Sequence, residues 1–280
     1  MTQGPKHSWQ PAGIITLTTD FGSAGPYVGV MHGAILLRMP AAKIVDITHD
    51  IFAHWPYEAG FWISRSARYF PAGTVHVCVV DPGVGTDRGI VLVQSGEQVF
   101  LAPDNGLLAP VIEQNRGAQI YHLRSQRLRQ FAFGQSSATF HGRDVFAPVA
   151  AELAAGRADP HDLGERSSKY VPALFDEPEL HDGAVTGVVV SVDKFGNLIT
   201  NIDGQWLEHF RAPMLSAGGH DFRIARTYGD VAPGEMVALL SSFGSLELAC
   251  AEASAADRLG LGRAAPVRLA GELIGPANPL

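Results

Sequence analysis

Asp81, Arg88 and His141 carry the functional groups needed to aim one water molecule and take its proton. The carboxylate would accept the proton, while the guanidinium and the imidazole tune that acid and fix its geometry. Asp81 ends the apolar run Val75-His-Val-Cys-Val-Val80 and opens the turn Asp81-Pro-Gly-Val-Gly85. Arg88 follows across a glycine-bearing loop short enough to fold back on Asp81. His141 stands between Phe140 and Gly142, just before a helical stretch, a setting that favours a cleft. Each residue also has a plainer reading. Asp-Pro-Gly is common turn chemistry, a surface Asp-Arg pair is worth little, and a lone histidine is more often structural than catalytic. Asp20 follows the strand-like run Ile14-Ile-Thr-Leu-Thr-Thr19, where an α/β fold meets its ligand. It could accept two hydrogen bonds from a ribose diol or simply cap a turn.

Other signatures are weak or absent. Gly83-Val-Gly85 lacks the spacing and the following Lys-Ser/Thr of a phosphate-binding loop and does not fit the dinucleotide fingerprint. Asp20, Asp81, His141 and Asp144 contain no close pair at ligand spacing, so no metal is expected. Asp193-Lys-Phe-Gly-Asn197 and Ser241-Ser-Phe-Gly244 read, as bare patterns, as turns between strands.

The elements that must position these groups follow from the residue pattern. Val75 to Val80 is β-branched and apolar, which suits a strand buried on both faces of a parallel sheet. Proline and glycine then force the chain to turn. Ile14–Thr19, a glycine-rich turn and a helical period from Tyr27 to Met39 form the start of a βαβ unit. Lys43–Thr48 reads as the next strand and Pro56–Tyr69 as a helix with proline in its first turn. Gly89–Gln94 and Gln98–Ala102 read as a hairpin, Leu107–Glu113 as a helix, Ile120–Leu123 as a strand and Val145–Leu153 as an amphipathic helix closed by Gly156. From Arg157 to His181 charges and prolines without a period read as a linker region. Beyond it Ala184–Asp193, Leu198–Ile202, Phe222–Ala225, Met236–Leu240 and Leu246–Ala249 read as strands with no long helix. The expected organisation is an α/β domain over residues 13–166 with a largely parallel sheet, a linker over 167–182 and a smaller β domain over 183–280.

Bulk properties narrow the function. A chain of 280 residues with 46% hydrophobic and 18% charged content describes a soluble globular protein of two domains. A net charge of −7 without a basic stripe argues against a nucleic-acid partner. Cys78 and Cys250 sit in apolar runs and read as buried thiols. Residues 1–12 look like a loose leader without an apolar signal region, and no stretch approaches 18 apolar residues, so neither a membrane partner nor a membrane location is expected. The expected location is the cytoplasm.

Several stretches taken in order, Thr18-Thr-Asp-Phe-Gly22, Val80-Asp-Pro-Gly-Val-Gly-Thr86 with Arg88, Ala102-Pro-Asp-Asn-Gly-Leu107, Thr139-Phe-His-Gly-Arg-Asp144, Asp193-Lys-Phe-Gly-Asn-Leu-Ile-Thr-Asn201 and Ser242-Phe-Gly-Ser-Leu-Glu-Leu-Ala249, resemble one family. It is the S-adenosyl-L-methionine hydroxide adenosyltransferases, related to the fluorinase and chlorinase enzymes, and the likeness runs from about Ile14 to about Leu261. The resemblance implies an α/β sandwich followed by a β-barrel-like domain, and a homotrimer with active sites between one subunit's first domain and its neighbour's second. It implies attack of water or hydroxide on the ribose 5′ carbon of S-adenosylmethionine, giving adenosine and L-methionine, with no cofactor. By motif match Asp81, Arg88 and His141 are the water-activating set and Asp20 holds the ribose. Asp193 and Ser242 match positions gripping the methionine end, Asn197 matches one facing the adenine, and Trp55 and Phe243 are candidates for aromatic packing. The halide-using relatives replace the Asp-Pro-Gly-Val-Gly turn and the His-Gly pair. Here Asp81 would repel an anion, so hydroxide transfer is expected over the alternative of halide-dependent transfer. A non-catalytic nucleoside-binding module is the other alternative, and it has no need of a water-activating group. Cys250-Ala-Glu-Ala-Ser254 departs from the Asn- and Gly-containing run usual in the family, which puts the adenine contacts there in doubt.

Overall fold

The structure is a computed structural model that describes residues 9–124, 128, 130–131 and 137–274. The chain divides into two compact units between Leu174 and Phe175. The first holds seven strands, β1 (Ile14–Thr19), β2 (Lys43–Thr48), β3 (Val75–Val79), β4 (Ile90–Ser95), β5 (Gln98–Pro103), β6 (Gln119–Leu123) and β7 (Gly164–Ser167), in the order β2-β1-β3-β5-β4-β6-β7. The run β2-β1-β3-β5 is parallel throughout, as expected for the site-bearing part of the sheet. The remaining pairings, β5 to β4, β4 to β6 and β6 to β7, are antiparallel.

Strict alternation along β3 explains why the sheet is covered on both sides. Val75, Val77 and Val79 face one cluster with Met31 and Ile35 of the helix Tyr27–Arg38 and Val149 and Leu153 of the helix Ala147–Ala154. Cys78 and Val80 face the opposite cluster with Ala59 and Ile63 of the helix Pro56–Ser66. All five β3 residues are buried.

Three local expectations change. The helix expected over Pro56–Tyr69 ends at Ser66 and finishes as a 3-10 turn, Ala67–Tyr69. The helix read from Val145 starts at Ala147 and is preceded by a π-helical turn, Gly142–Phe146, whose five-residue spacing has no signature in a 3.6-residue pattern. Within the stretch read as linker, Pro160–Leu163 is a short helix capped by the Asp159 side chain, and β7 follows it to join the sheet. As an edge strand of the composition Gly-Glu-Arg-Ser, β7 has no apolar alternation to announce it.

The second unit is a closed β-barrel. Its strands are β8 (Leu180–His181), β9 (Ala184–Val192), β10 (Leu198–Asp203), β11 (Phe210–Ala217), β12 (His220–Ala225), β13 (Met236–Leu240), β14 (Ser245–Cys250) and β15 (Pro266–Leu273). The ring runs β10-β14-β13-β12-β11-β15-β9 and closes because β9 also pairs with β10. The two-residue β8 lies outside the ring, against β9. Val185, Val189, Leu198, Leu215, Leu246, Leu248 and Leu269 fill the interior. β11 and β15 were not expected from sequence, since Pro213 and Pro266 sit within them and charges interrupt their alternation. Among the described residues no helix is long and apolar enough to cross a membrane.

Candidate active site

The parallel ladder between β1 and β3 ends with Thr19 opposite Val79. Asp20 and the Val80-Asp81 step therefore leave neighbouring strands at the same carboxyl edge, which is where open α/β sheets receive ligands. A cleft of about 240 Å³ opens there, and Asp20, Phe21, His54, Asp81, Phe140 and His141 are among its walls.

The loop after Asp81 folds back tightly. Val84 N–H donates to the Asp81 carbonyl at 3.2 Å, and the Thr86 hydroxyl donates to the Gly83 carbonyl at 2.7 Å. This brings Arg88 onto Asp81: Nε donates to Oδ1 at 3.0 Å and to Oδ2 at 2.9 Å, and Nη2 donates to Oδ2 at 2.5 Å. The same Nη2 donates to His141 Nδ1 at 2.8 Å. One guanidinium thus ties the acid to the imidazole. The Asp81 and Arg88 side chains are only 5% and 11% exposed, and the Phe146 ring lies 5.7 Å from the guanidinium carbon.

A guanidinium only donates, so His141 Nδ1 must be the accepting nitrogen, and the neutral ring carries its proton on Nε2. Desolvation and then the Arg88 charge hold His141 below the usual imidazole range, against the upward pull of Asp81 and Asp144. A lowered value means that the unfolded chain takes up the proton first as pH falls. Stability linked to this ring is therefore present above the ordinary value of about 6.5 and declines below it. Protonation would also break the Arg88 bond at Nδ1. If His141 serves turnover, kcat/KM should stay level through neutrality and fall only below about 6.5; a pH-rate profile whose acid limb lies above that value would contradict this assignment.

Two glycines allow the loops to meet. Gly85 has φ +79°, and a Cβ on it would lie 2.4 Å from the Ala138 carbonyl oxygen, so the Asp81 loop nests directly against the irregular segment leading to His141. A Cβ on Gly142 would meet Met31, Phe140 and Phe21 at 3.2 Å. Phe21, Tyr27 and Phe140 pack with ring centroids 5.5 to 6.1 Å apart, clasping the Asp20 turn to the His141 segment. Asp144, almost wholly buried, accepts from Ser137 N–H at 2.8 Å and from Arg143 Nε at 2.6 Å. Burial is the largest single influence on its carboxyl and pulls upward, but the Arg143 bond, the Ser137 N–H and the Arg143 and His141 charges together hold it below the usual range.

Asp20 Oδ2 accepts the His54 N–H at 3.0 Å. His54 has φ +61°, a conformation L residues rarely adopt, so a strained backbone delivers that donor. Sequence reasoning missed His54, because a backbone donor leaves no side-chain signal. Trp55 is its neighbour and precedes the helix Pro56–Ser66, but it does not line the cleft.

The candidates in the second unit fall into two groups. Asp193 and Asn197 line a pocket of about 620 Å³ together with Phe195, Tyr228 and residues 250–254. Asp193 Oδ1 accepts the N–H groups of Phe195 and Asn197 at 2.8 and 2.9 Å, and Oδ2 accepts Asn197 Nδ2 at 2.9 Å. Gly196 backs onto Ser254, where a Cβ would lie 2.2 Å from Oγ, so the atypical Cys250–Ser254 segment forms part of the pocket wall. Ser242 and Phe243 lie on the turn between β13 and β14, outside that lining. Tyr228 was not anticipated. Its hydroxyl donates to the buried carboxylate of Glu247, and burial is the largest influence raising both groups above their ordinary values. Among the described residues no cluster of three or more His, Cys, Asp or Glu side chains could hold a metal ion.

Models of the SAM hydroxide adenosyltransferase N-terminal and C-terminal domains match residues 15–164 and 187–268. The chain belongs to this family. An (R)-S-adenosyl-L-methionine hydrolase from Thermus thermophilus is 38% identical over 265 residues, covering 90% of this chain and 97% of that protein. A fluorinase from Actinoplanes sp. is 27% identical, covering 84% and 90%. Among solved structures, an uncharacterized conserved protein from Thermotoga maritima aligns with a TM-score of 0.83 at 34% identity, covering 91% of this chain and 99% of that one. Both halves of the adenosyltransferase pattern are thus present in one chain, in family order.

Proposed function

We propose that this protein hydrolyses S-adenosyl-L-methionine to adenosine and L-methionine, with water activated by Asp81, Arg88 and His141. The observation that carries the reading is the single guanidinium bonded to both the Asp81 carboxylate and His141 Nδ1, two residues that line one cleft together with Asp20. Membership of the hydroxide adenosyltransferase family supports it, as does the hydrolase name of the Thermus thermophilus relative.

In this mechanism Asp20 holds the ribose diol and aims C5′ at the water. The water oxygen forms a bond to C5′ as the C5′–S bond breaks, its electron pair passing to sulfur, and Asp81 takes the water's proton. Arg88 fixes the carboxylate, and His141, neutral and protonated on Nε2, donates towards the water oxygen. Water itself has a pKa of about 15.7, so proton transfer during attack is more economical than prior formation of hydroxide, with a typical gain of roughly 10²–10⁴. The step neutralises a sulfonium, so a dry, well-aimed site favours it. The Asp81 carboxylate would repel an anion, which favours water over a halide as the nucleophile.

The pocket with Asp193, Asn197, Phe195 and Tyr228 has two aromatic walls beside amide and carboxylate groups, suited to a purine and an amino-acid end. Ser242 is assigned to the same substrate by motif match, and Trp55 and Phe243 are candidates for aromatic packing against it. A homotrimer in which neighbouring subunits each contribute part of one site follows from this reading, as does a cytoplasmic setting, which suits two free thiols. No cofactor is required. The test is product analysis in oxygen-18 water with a chelator present. Adenosine labelled at the 5′ hydroxyl, formed at the full rate, is the expected result; unlabelled adenosine would exclude attack at carbon.

A further inference from the structure

The stretch Ala102-Pro-Asp-Asn-Gly-Leu107 carries no role in the mechanism above, yet its turn touches both ends of the Asp81–Arg88 loop. β3 pairs with β1 as far as Val79 and with β5 only as far as Val77. The Val80 carbonyl, one residue before Asp81, thus lies past both ladders. Asn105 Nδ2 donates to it at 2.9 Å. At the other end, the N–H of Asp104 donates to the carbonyl of Gly89, the residue after Arg88, at 3.0 Å.

The turn is itself anchored. Asn105 Oδ1 accepts the Leu107 N–H at 3.3 Å, and Asp104 Oδ1 accepts the Val171 N–H at 3.0 Å. Gly106 has φ +89° and a Cβ on it would lie 2.4 Å from the Pro172 carbonyl oxygen. Leu107 is fully buried, and its carbonyl lies so close to Gly60 of the helix Pro56–Ser66 that a Cβ there would be 2.2 Å away. Helix, turn and strand end form one rigid support.

We infer that Asn105 is a positioning residue for the reaction, setting where Asp81 points by holding the Val80 carbonyl. This rests on the proposed role of Asp81. The Arg88 bonds fix the carboxylate relative to the guanidinium, whereas the Asn105 bond fixes the pair relative to the sheet edge that carries Asp20. Without it, the peptide leading into Asp81 is free to rotate, and the acid and guanidinium move together away from the line of attack.

The test is a double-mutant cycle on the full-length protein, read by single-turnover adenosine formation from S-adenosylmethionine. Asn105→Ala should lower the rate about 10- to 100-fold, the scale of a displacement near 1 Å, while KM changes less than about threefold. In an Asp81→Asn background the same substitution should add less than about twofold, because two residues acting through one group are not additive. Asn105→Asp, which keeps the acceptor for Leu107 but loses the donor, should behave like Asn105→Ala. The proposal is overturned if Asn105→Ala retains the parental rate, if its loss is undiminished in the Asp81→Asn background, or if neither Asn105 variant gives a cooperative thermal transition. Asp81→Asn turning over at the parental rate would instead refute the underlying chemistry.

Discussion

Asp81→Asn is expected to lower kcat by about 10²–10⁴-fold, the span of a lost general base, and to leave KM for S-adenosylmethionine nearly unchanged. Asparagine preserves size and still offers one oxygen to Arg88, so the loop keeps its shape while the proton acceptor disappears. Substrate affinity survives because the ribose and the adenine are assigned to other residues. Steady-state kinetics alongside calorimetric binding of the substrate separates the two effects. A kcat within threefold of the parent would remove Asp81 from the chemistry, and a loss confined to KM would make it a binding group.

Arg88→Lys is expected to cost about 10²-fold in kcat through misplacement alone. Lysine brings one compact ammonium where arginine supplies a fork, so it cannot serve both carboxylate oxygens and His141 Nδ1 together. Arg88→Ala goes further. It leaves the Asp81 carboxylate, 5% exposed, without its charged donors, at a stability cost of about 1.5–3 kcal/mol. It also removes the second of the influences that hold the His141 value down, leaving burial alone against the upward pull of Asp81 and Asp144. The acid limb of the pH-rate profile should therefore move upward in Arg88→Ala and much less in Arg88→Lys, where the positive charge remains. Identical limbs in all three proteins would mean that the Arg88–His141 contact has no part in turnover.

How far this site was legible in the sequence differs from residue to residue. Asp20 and Asp81 announced themselves because β-branched runs lead straight into them, and strands of that kind in a βαβ chain end at the ligand-binding edge. Arg88 followed from loop length. His141 lies 53 residues beyond Arg88, and periodicity gives no route to it. The π-helical turn behind it and the aromatic clasp of Phe21, Tyr27 and Phe140 do the positioning. His54 was invisible for a different reason, since its contribution is a strained backbone N–H. In the second unit, the Asp193-to-Asn197 motif could be read, because its hydrogen bonds are local. Tyr228 could not, because its partner Glu247 comes from a distant strand. β7, β11 and β15 escaped notice because charges and prolines disrupt the alternation by which half-buried strands are recognised.

The pairing of β9 with β10 completes the ring of the second unit. A sheet that meets itself leaves no row of idle amides along its seam, so the ring offers no template on which a foreign strand could grow. Any assembly that engages the ring must be built from side chains fitted surface to surface, where altering a single residue can loosen the union without unravelling the fold beneath it.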